Sequence, residues 1–214
     1  GDAVFDPADL ALCGDDWDGT ADCSQHVTAW DIGRRQDHTV GITIGLRGDT
    51  WHVVAYERVL VPYPVIETMI EARHRKYRGQ TVVESNGIGD PVIEHLDVRV
   101  EPYTTTVKTK VQAIQALQFL IQQGRFKHSE EQLDRELSLY QWDDKGLTQD
   151  SVMAASIAAI MAIPTSLRGV LARSLHGGKK VDRDITRLHP SIANTGERQR
   201  ERDLAAARQD GRRI

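Results

Sequence analysis

Cysteine is nearly absent from this chain. Its 214 residues hold two, Cys13 and Cys23, and both fall in the first 26. No further cysteine exists to complete a metal cluster, so free thiols in a reducing compartment are expected. No apolar run approaches the ~18–20 residues that a membrane span requires. The basic-then-apolar pattern of a secretion signal is missing as well. No G-x-x-x-x-G-K-[ST] occurs, which excludes a P-loop ATPase within the chain. There is no H-E-x-x-H either: His38, His52, His74, His95 and His128 are scattered, at spacings that do not suit zinc. Internal repeats and low-complexity tracts are also lacking.

What is present is an ordinary globular composition, 40% hydrophobic and 27% charged. At this length one packed domain with appendages is expected. The net charge of −4 is unevenly spread. From Thr165 onward there are 12 Lys and Arg against 6 Asp and Glu; the preceding residues carry 15 against 25. An acidic body suits the gathering of cations, and a basic tail suits contact with nucleic acid or plain solvation. The opening stretch "GDAVFDPADLALCGDDWDGTADC" is acidic, Gly-rich and without an initiator Met. Three parts are therefore expected: an acidic linker or remnant of a preceding domain over 1–26, a core domain over 27–164, and a basic tail over 165–214, partly disordered.

The core pattern is mixed α/β. "VTAWDI" (Val27–Ile32), "TVGITIGL" (Thr39–Leu46) and "WHVVAYERVL" (Trp51–Leu60) predict successive antiparallel strands. "PYPVIETMIEARHRKYRG" predicts a helix stopped by Gly79. "QTVVES" is a buried strand, "NGIGDPVIEHL" a tight turn into a short helix, and "VRVEPYT" a further strand. Helices follow in "VKTKVQAIQALQFLIQQG", ended by Gly124, in "SEEQLDRELSLY" with Ser129 as N-cap, and in the alanine-rich "SVMAASIAAIMAI", stopped by Pro164. This order resembles that of the ribonuclease H-like fold, an α/β architecture with a central mixed five-stranded sheet flanked by helices. The resemblance, rather than propensity, implies that the first and fourth strands are parallel neighbours at the sheet centre.

On that arrangement Asp31, ending the first strand, meets Glu84, ending the fourth, at the carboxyl edge where α/β proteins place ligands. Asp150, opening the alanine-rich helix, is the third candidate. Converging carboxylates repel one another, and two divalent cations, Mg²⁺ or Mn²⁺, remove that cost. Such a pair supports in-line displacement at a phosphodiester. Plainer roles stay open for each acid. Asp31 with Gly33 suits a turn, Glu84 suits bonding to the turn at Asn86, and Asp150 suits the positive end of its helix with Thr148 as N-cap. Asp37 is an additional ligand candidate or a turn residue. Asp143 and Asp144 suit a solvated loop. Gly87 and Gly89 form a weak phosphate-cradle signal and, more simply, a sharp turn past Glu84.

Taken in order, "DIGRRQDHT", "VVESNGIGDPVIEHL", "AIQALQFLIQQGRF" with "LDRELSLY", and "TQDSVMAASIAAIMA" resemble the nuclease domain of the large terminase subunit of tailed bacteriophages. The match runs from Val27 to Ile163. Two departures stand out: the second acid, often Asp in that family, is Glu84, and an acid often found before the last one is Gln149. The resemblance implies a metal-dependent endonuclease that cuts concatemeric phage DNA during packaging in the bacterial host cytoplasm. Asp31, Glu84 and Asp150 would be its catalytic metal ligands, with Asp37 in addition. Double-stranded DNA would be held by Arg34, Arg35, Lys108, Lys110 and Lys145, which position phosphates without choosing sequence. An ATPase motor domain, a small terminase subunit and a portal protein are the implied partners. Competing readings are a Holliday-junction resolvase, which shares the Asp, Glu, Asp order, and a non-catalytic DNA- or partner-docking module of the same fold. A sugar-kinase or actin-like ATPase would need a duplicated second half, for which this chain is too short.

Overall fold

The computed structural model describes residues 3–17, 22–34, 36–87, 89–142, 148–165 and 168. The chain divides into two units, Gly1–Arg173 and Ser174–Ile214. The second unit, and with it nearly all of the basic tail, lies outside the described residues. So do Arg35, Asp143, Asp144 and Lys145.

Six strands form one sheet: β1 (Gln25–Asp31), β2 (Thr39–Arg47), β3 (Thr50–Val59), β4 (Gln80–Glu84), β5 (Glu101–Tyr103) and β6 (Phe126–Lys127), in the order β5-β4-β1-β2-β3-β6. The expected five are joined by β6, too short to register as a pattern, which pairs in parallel with Trp51 and His52 of β3. β1, β2 and β3 run antiparallel through the turns the sequence marks. β1 and β4 are parallel neighbours, pairing Val27 with Gln80 through to Trp30 with Val83.

Among the described residues there are six helices: α1 (Pro7–Leu10), α2 (Tyr63–Tyr77), α3 (Gly89–His95), α4 (Val107–Gln122), α5 (Glu131–Leu139) and α6 (Asp150–Ala162). Period-2 alternation in β1 sends Trp30 to one face and Ala29 to the other. Trp30 joins Ile32, Ile66, Ile70, Val83 and Val92 in the core beneath α2 and α3. The other face is covered by α6, which packs on β1, β2 and α4. Every α6 residue from Ser151 to Ile160 is buried. Its alanines and serines keep the helix thin enough to lie between sheet and neighbouring helices. Among the described residues no helix is long and apolar enough to cross a membrane.

Local chemistry explains most element ends. α4 opens on a capping box in which Thr106 and Thr109 exchange side-chain and backbone bonds, and Gly124 beyond its end takes a φ of +65°. The left-handed residue that ends α2 is Arg78 (φ 46°), one position before the expected Gly79. α5 begins after Glu130, not after Ser129, and Glu130 makes no side-chain cap bond. The segment before β1 packs on the body over residues 3–17. Phe5 is buried edge-on to Tyr140, and Asp15 pairs with His52 at 2.7 Å. Cys13 and Cys23 are not joined in a disulfide, and burial pushes the Cys13 thiol up to about 11.

Behind the central strands Arg73, itself buried, fixes the position of Trp30. Its guanidinium stacks 5.0 Å from the indole, donates to the Gly41 carbonyl at 2.9 Å and pairs with Glu57 at 2.8 Å. Gly41, opposite Trp30 in β2, leaves the space the indole occupies, and a Cβ there would clash with the ring carbons. Gly41→Ala is therefore expected to cost about 1–3 kcal/mol of folding stability by overpacking. Urea unfolding followed by fluorescence measures it, and an unchanged midpoint would count against this account of the core.

Candidate metal centre

The register that pairs Trp30 with Val83 continues by one residue to Asp31 and Glu84, whose side chains leave the carboxyl end of the sheet on the α6 side. The two carboxyl groups are joined by a hydrogen bond. Burial, that bond, and the charges of Glu84, Asp150 and Glu136 push the Asp31 carboxyl well above the ordinary carboxylate range. The backbone just past Glu84 turns so tightly that a Cβ on Gly89 would strike the Glu84 carbonyl oxygen. Here the "NGIG" stretch acts by shape. Asn86 fastens the turn by donating to the Thr105 carbonyl at 2.6 Å and accepting from the Thr105 N–H at 3.2 Å.

Asp150 enters from α6, as its first residue. Burial, then the Glu136 charge, raise its pKa; Arg58 opposes this, Asp37 adds to it and His38 lowers it. Arg58 Nη2 lies 3.7 Å from Asp150 Oδ2. Asp37 is exposed and, with Gly33, Arg34, Tyr63 and other residues, lines a cavity of about 480 Å³ beside this edge. Arg34 is exposed, with its guanidinium near Gly87 and so beside the turn after Glu84. Lys108 is exposed, while Lys110 donates to Gln149 Oε1 at 3.2 Å, next to Asp150.

Two contributors were not singled out by the sequence pattern. Neither Gln149 nor Thr148 caps α6 in the usual way: Gln149 occupies the N-cap position without a side-chain cap bond. Glu136 of α5, a neighbour in space only, does the work. Its Oε2 accepts from the Ser151 N–H at 2.8 Å and the Val152 N–H at 3.2 Å. Its Oε1 accepts from Ser151 Oγ and from Gln132 Nε2, each at 2.9 Å. Ser151 Oγ is bonded in turn to the Tyr56 hydroxyl at 2.8 Å. A carboxylate on exposed helix-terminal N–H groups is favoured by hydrogen bonding and by the helix dipole together. The available signal was an acid inside the buried Leu133–Leu137 stripe of α5. The other contributor is Arg58, two residues beyond Tyr56 on β3 and so on the same face, the one that carries Asp31.

The structure thus joins Asp31 to Glu84 and sets Asp150 and Glu136 within electrostatic reach of the pair. Among the described residues no three His, Cys, Asp or Glu side chains are grouped so as to hold a metal ion. The chemistry of the pair nevertheless fits a hard divalent cation: the donors are all oxygen, and burial with neighbouring acids already disfavours an uncompensated charge on Asp31.

Several solved structures with a similar fold are described as large terminase nucleases. The large terminase nuclease of thermophilic phage G20c with bound magnesium aligns with a TM-score of 0.58 at 20% identity, over 73% of this chain and 96% of that one. The same nuclease has been solved with bound zinc and with bound cobalt. The Thermus phage P74-26 large terminase nuclease domain aligns with a TM-score of 0.59 at 17% identity, over 73% of this chain and 94% of that one. The large terminase of thermophilic bacteriophage D6E gives 0.55 at 12%, over 67% of this chain and 41% of that longer one. The likeness is one of fold, and the fold is ribonuclease H-like. No family model matches the chain, and no curated protein matches it.

Two outcomes follow from the site's electrostatics. Removing the Glu136 carboxylate leaves buried N–H donors at the start of α6 without partners. Glu136→Ala is therefore expected to cost about 1–3 kcal/mol in urea unfolding, and Glu136→Gln, which keeps acceptors, distinctly less. Asp31 binds its proton more tightly in the folded than in the unfolded chain. The ion-free protein therefore loses stability as pH rises from the ordinary aspartate range through the raised pKa. Asp31→Asn is expected to melt above the parent in chelator at pH 7.5, with the gap closing toward pH 4. Calorimetry at several pH values checks this, and a gap independent of pH would contradict it.

Proposed function

We propose that this chain is a divalent-metal-dependent DNA endonuclease of the terminase large-subunit kind, cutting concatemeric phage DNA during genome packaging in the host cytoplasm. The observation that carries the reading is the Asp31–Glu84 pair at the carboxyl edge of β1 and β4. It stands in a fold whose solved examples are described as terminase nucleases with magnesium, zinc or cobalt bound. Asp31, Glu84 and Asp150, with Asp37 at the rim, would hold two Mg²⁺ or Mn²⁺ ions. Such ions, when bound, supply activation of an attacking water and stabilisation of the leaving oxygen.

The chain's own residues do the rest. Asp31, whose carboxyl is pushed up by burial and by Glu84, would serve as a ligand in its ionised form beside Glu84. α6 and Glu136 fix the backbone from which Asp150 projects. Arg34, Arg35, Lys108, Lys110 and Lys145 would meet DNA phosphates around the edge and set its position with little sequence choice. Hydrolysis would leave a 3′-hydroxyl and a 5′-phosphate. An ATPase motor domain, a small terminase subunit and a portal protein would be the partners, the motor by analogy with the longer D6E large terminase, solved with ATP-γ-S.

A non-catalytic docking module of the same fold is the second reading, favoured by the lack of a three-residue ligand group among the described residues. Plasmid cleavage separates the two. Mn²⁺ or Mg²⁺ is expected to support nicking and linearisation by the parent chain, and Asp31→Ala or Asp150→Ala to abolish both. Intact plasmid with every divalent ion tried, together with no rise in melting temperature on adding ions, would favour the docking module.

A further inference from the structure

Arg58 stands inside the acidic edge, and the nuclease reading gives it no task. The cross-strand row Asp31–Val40–Arg58 places it two strands from Asp31 on the same face of the sheet. Its side chain is 22% exposed and lies between two carboxylates, with Nη2 3.7 Å from Asp150 Oδ2 and Nε 3.9 Å from Glu136 Oε1. Both separations are those of an ion pair, longer than a hydrogen bond, and the buried Nε has no hydrogen-bond partner. Arg58 therefore grips neither acid with the two-pronged geometry of which a guanidinium is capable.

The two acids differ in freedom. Glu136 is 2% exposed and anchored by the Ser151 and Val152 N–H groups, Ser151 Oγ and Gln132. It cannot leave without stripping the start of α6. Asp150 is 27% exposed and faces Arg58 across a gap that no hydrogen bond closes.

We propose that Arg58 is the resident counter-ion of Asp150 and competes with a divalent cation for its carboxylate, while Glu136 is the fixed anion that keeps Arg58 at the edge once Asp150 is taken. This rests on the metal-dependent nuclease reading and deepens it by naming the residue that sets ion affinity. A guanidinium stays charged at every working pH, so the competition does not fade on titration. Its effect is to raise the ion concentration needed to fill the site. The direction is diagnostic: damage to the fold lowers ion affinity, whereas removal of a competitor raises it.

Calorimetric titration of Mn²⁺ into the ion-free full chain, paired with the Mn²⁺-induced melting shift, tests the proposal on the parent, Arg58→Met, Arg58→Gln and Arg58→Lys. The neutral variants are expected to bind Mn²⁺ roughly threefold or more tightly than the parent, the size of a partly solvated charge interaction. Arg58→Lys, which keeps the charge, is expected to stay near the parent. Should Arg58→Met fail to fold, Arg58→Gln carries the comparison. Parent-like or weaker binding in a cooperatively melting neutral variant overturns the proposal and leaves the nuclease reading intact. No Mn²⁺ binding by the parent overturns both.

Discussion

The parallel pairing of β1 with β4 sets the Asp31 carboxyl against that of Glu84, and burial together with the neighbouring acids disfavours a charge on Asp31. Much of the surrounding structure serves to hold this unfavourable contact in place. Trp30, stacked on Arg73 and seated against Gly41, fixes the strand on one side. The turn through Gly89 folds directly onto the Glu84 backbone. α6 closes the other side with an unbroken run of buried residues from Ser151 to Ile160. The acids are crowded because the core beneath them leaves no other arrangement, and the strain is electrostatic rather than steric.

Glu136 shows how a helix start can be governed from outside its own sequence. Most helices draw their cap from the residue before the first turn. Here Gln149 occupies that position without bonding, and the acceptors come from α5. The first residue of α6 is thereby tied to two elements at once: the sheet on which the helix packs, and the amphipathic helix that carries the cap. An acid on the apolar stripe of α5 would be a liability in an isolated helix. In the assembled fold it has four donors.

Strand and helix order were legible in the sequence because period-2 and period-3.6 patterns, Gly124 and Pro164 are local signals. The neighbouring placement of Asp31 and Glu84 was not a local signal. It came from recognising an order of elements, and the β1–β4 register bears it out. β6 was illegible because two residues carry no period. The boundary residues Ser129 and Gly79 were misplaced by one position: Arg78 takes the left-handed conformation that propensity gives to glycine, and Glu130 is the extended residue before α5. Glu136 and Arg58 escaped notice because each reads as an unremarkable charge within an amphipathic element. Their roles depend on what faces them from another part of the chain.

α6 is buried along its length and clasped at its beginning by another helix, so it has no frayed first turn to loosen. Unwinding its start would uncover apolar surface and strip a buried carboxylate together. On the proposed reading, an ion reaching this edge would ask only for rotation of the Asp150 and Arg58 side chains, and not for opening of the helix backbone. The rim can stay quick because the floor beneath it is rigid.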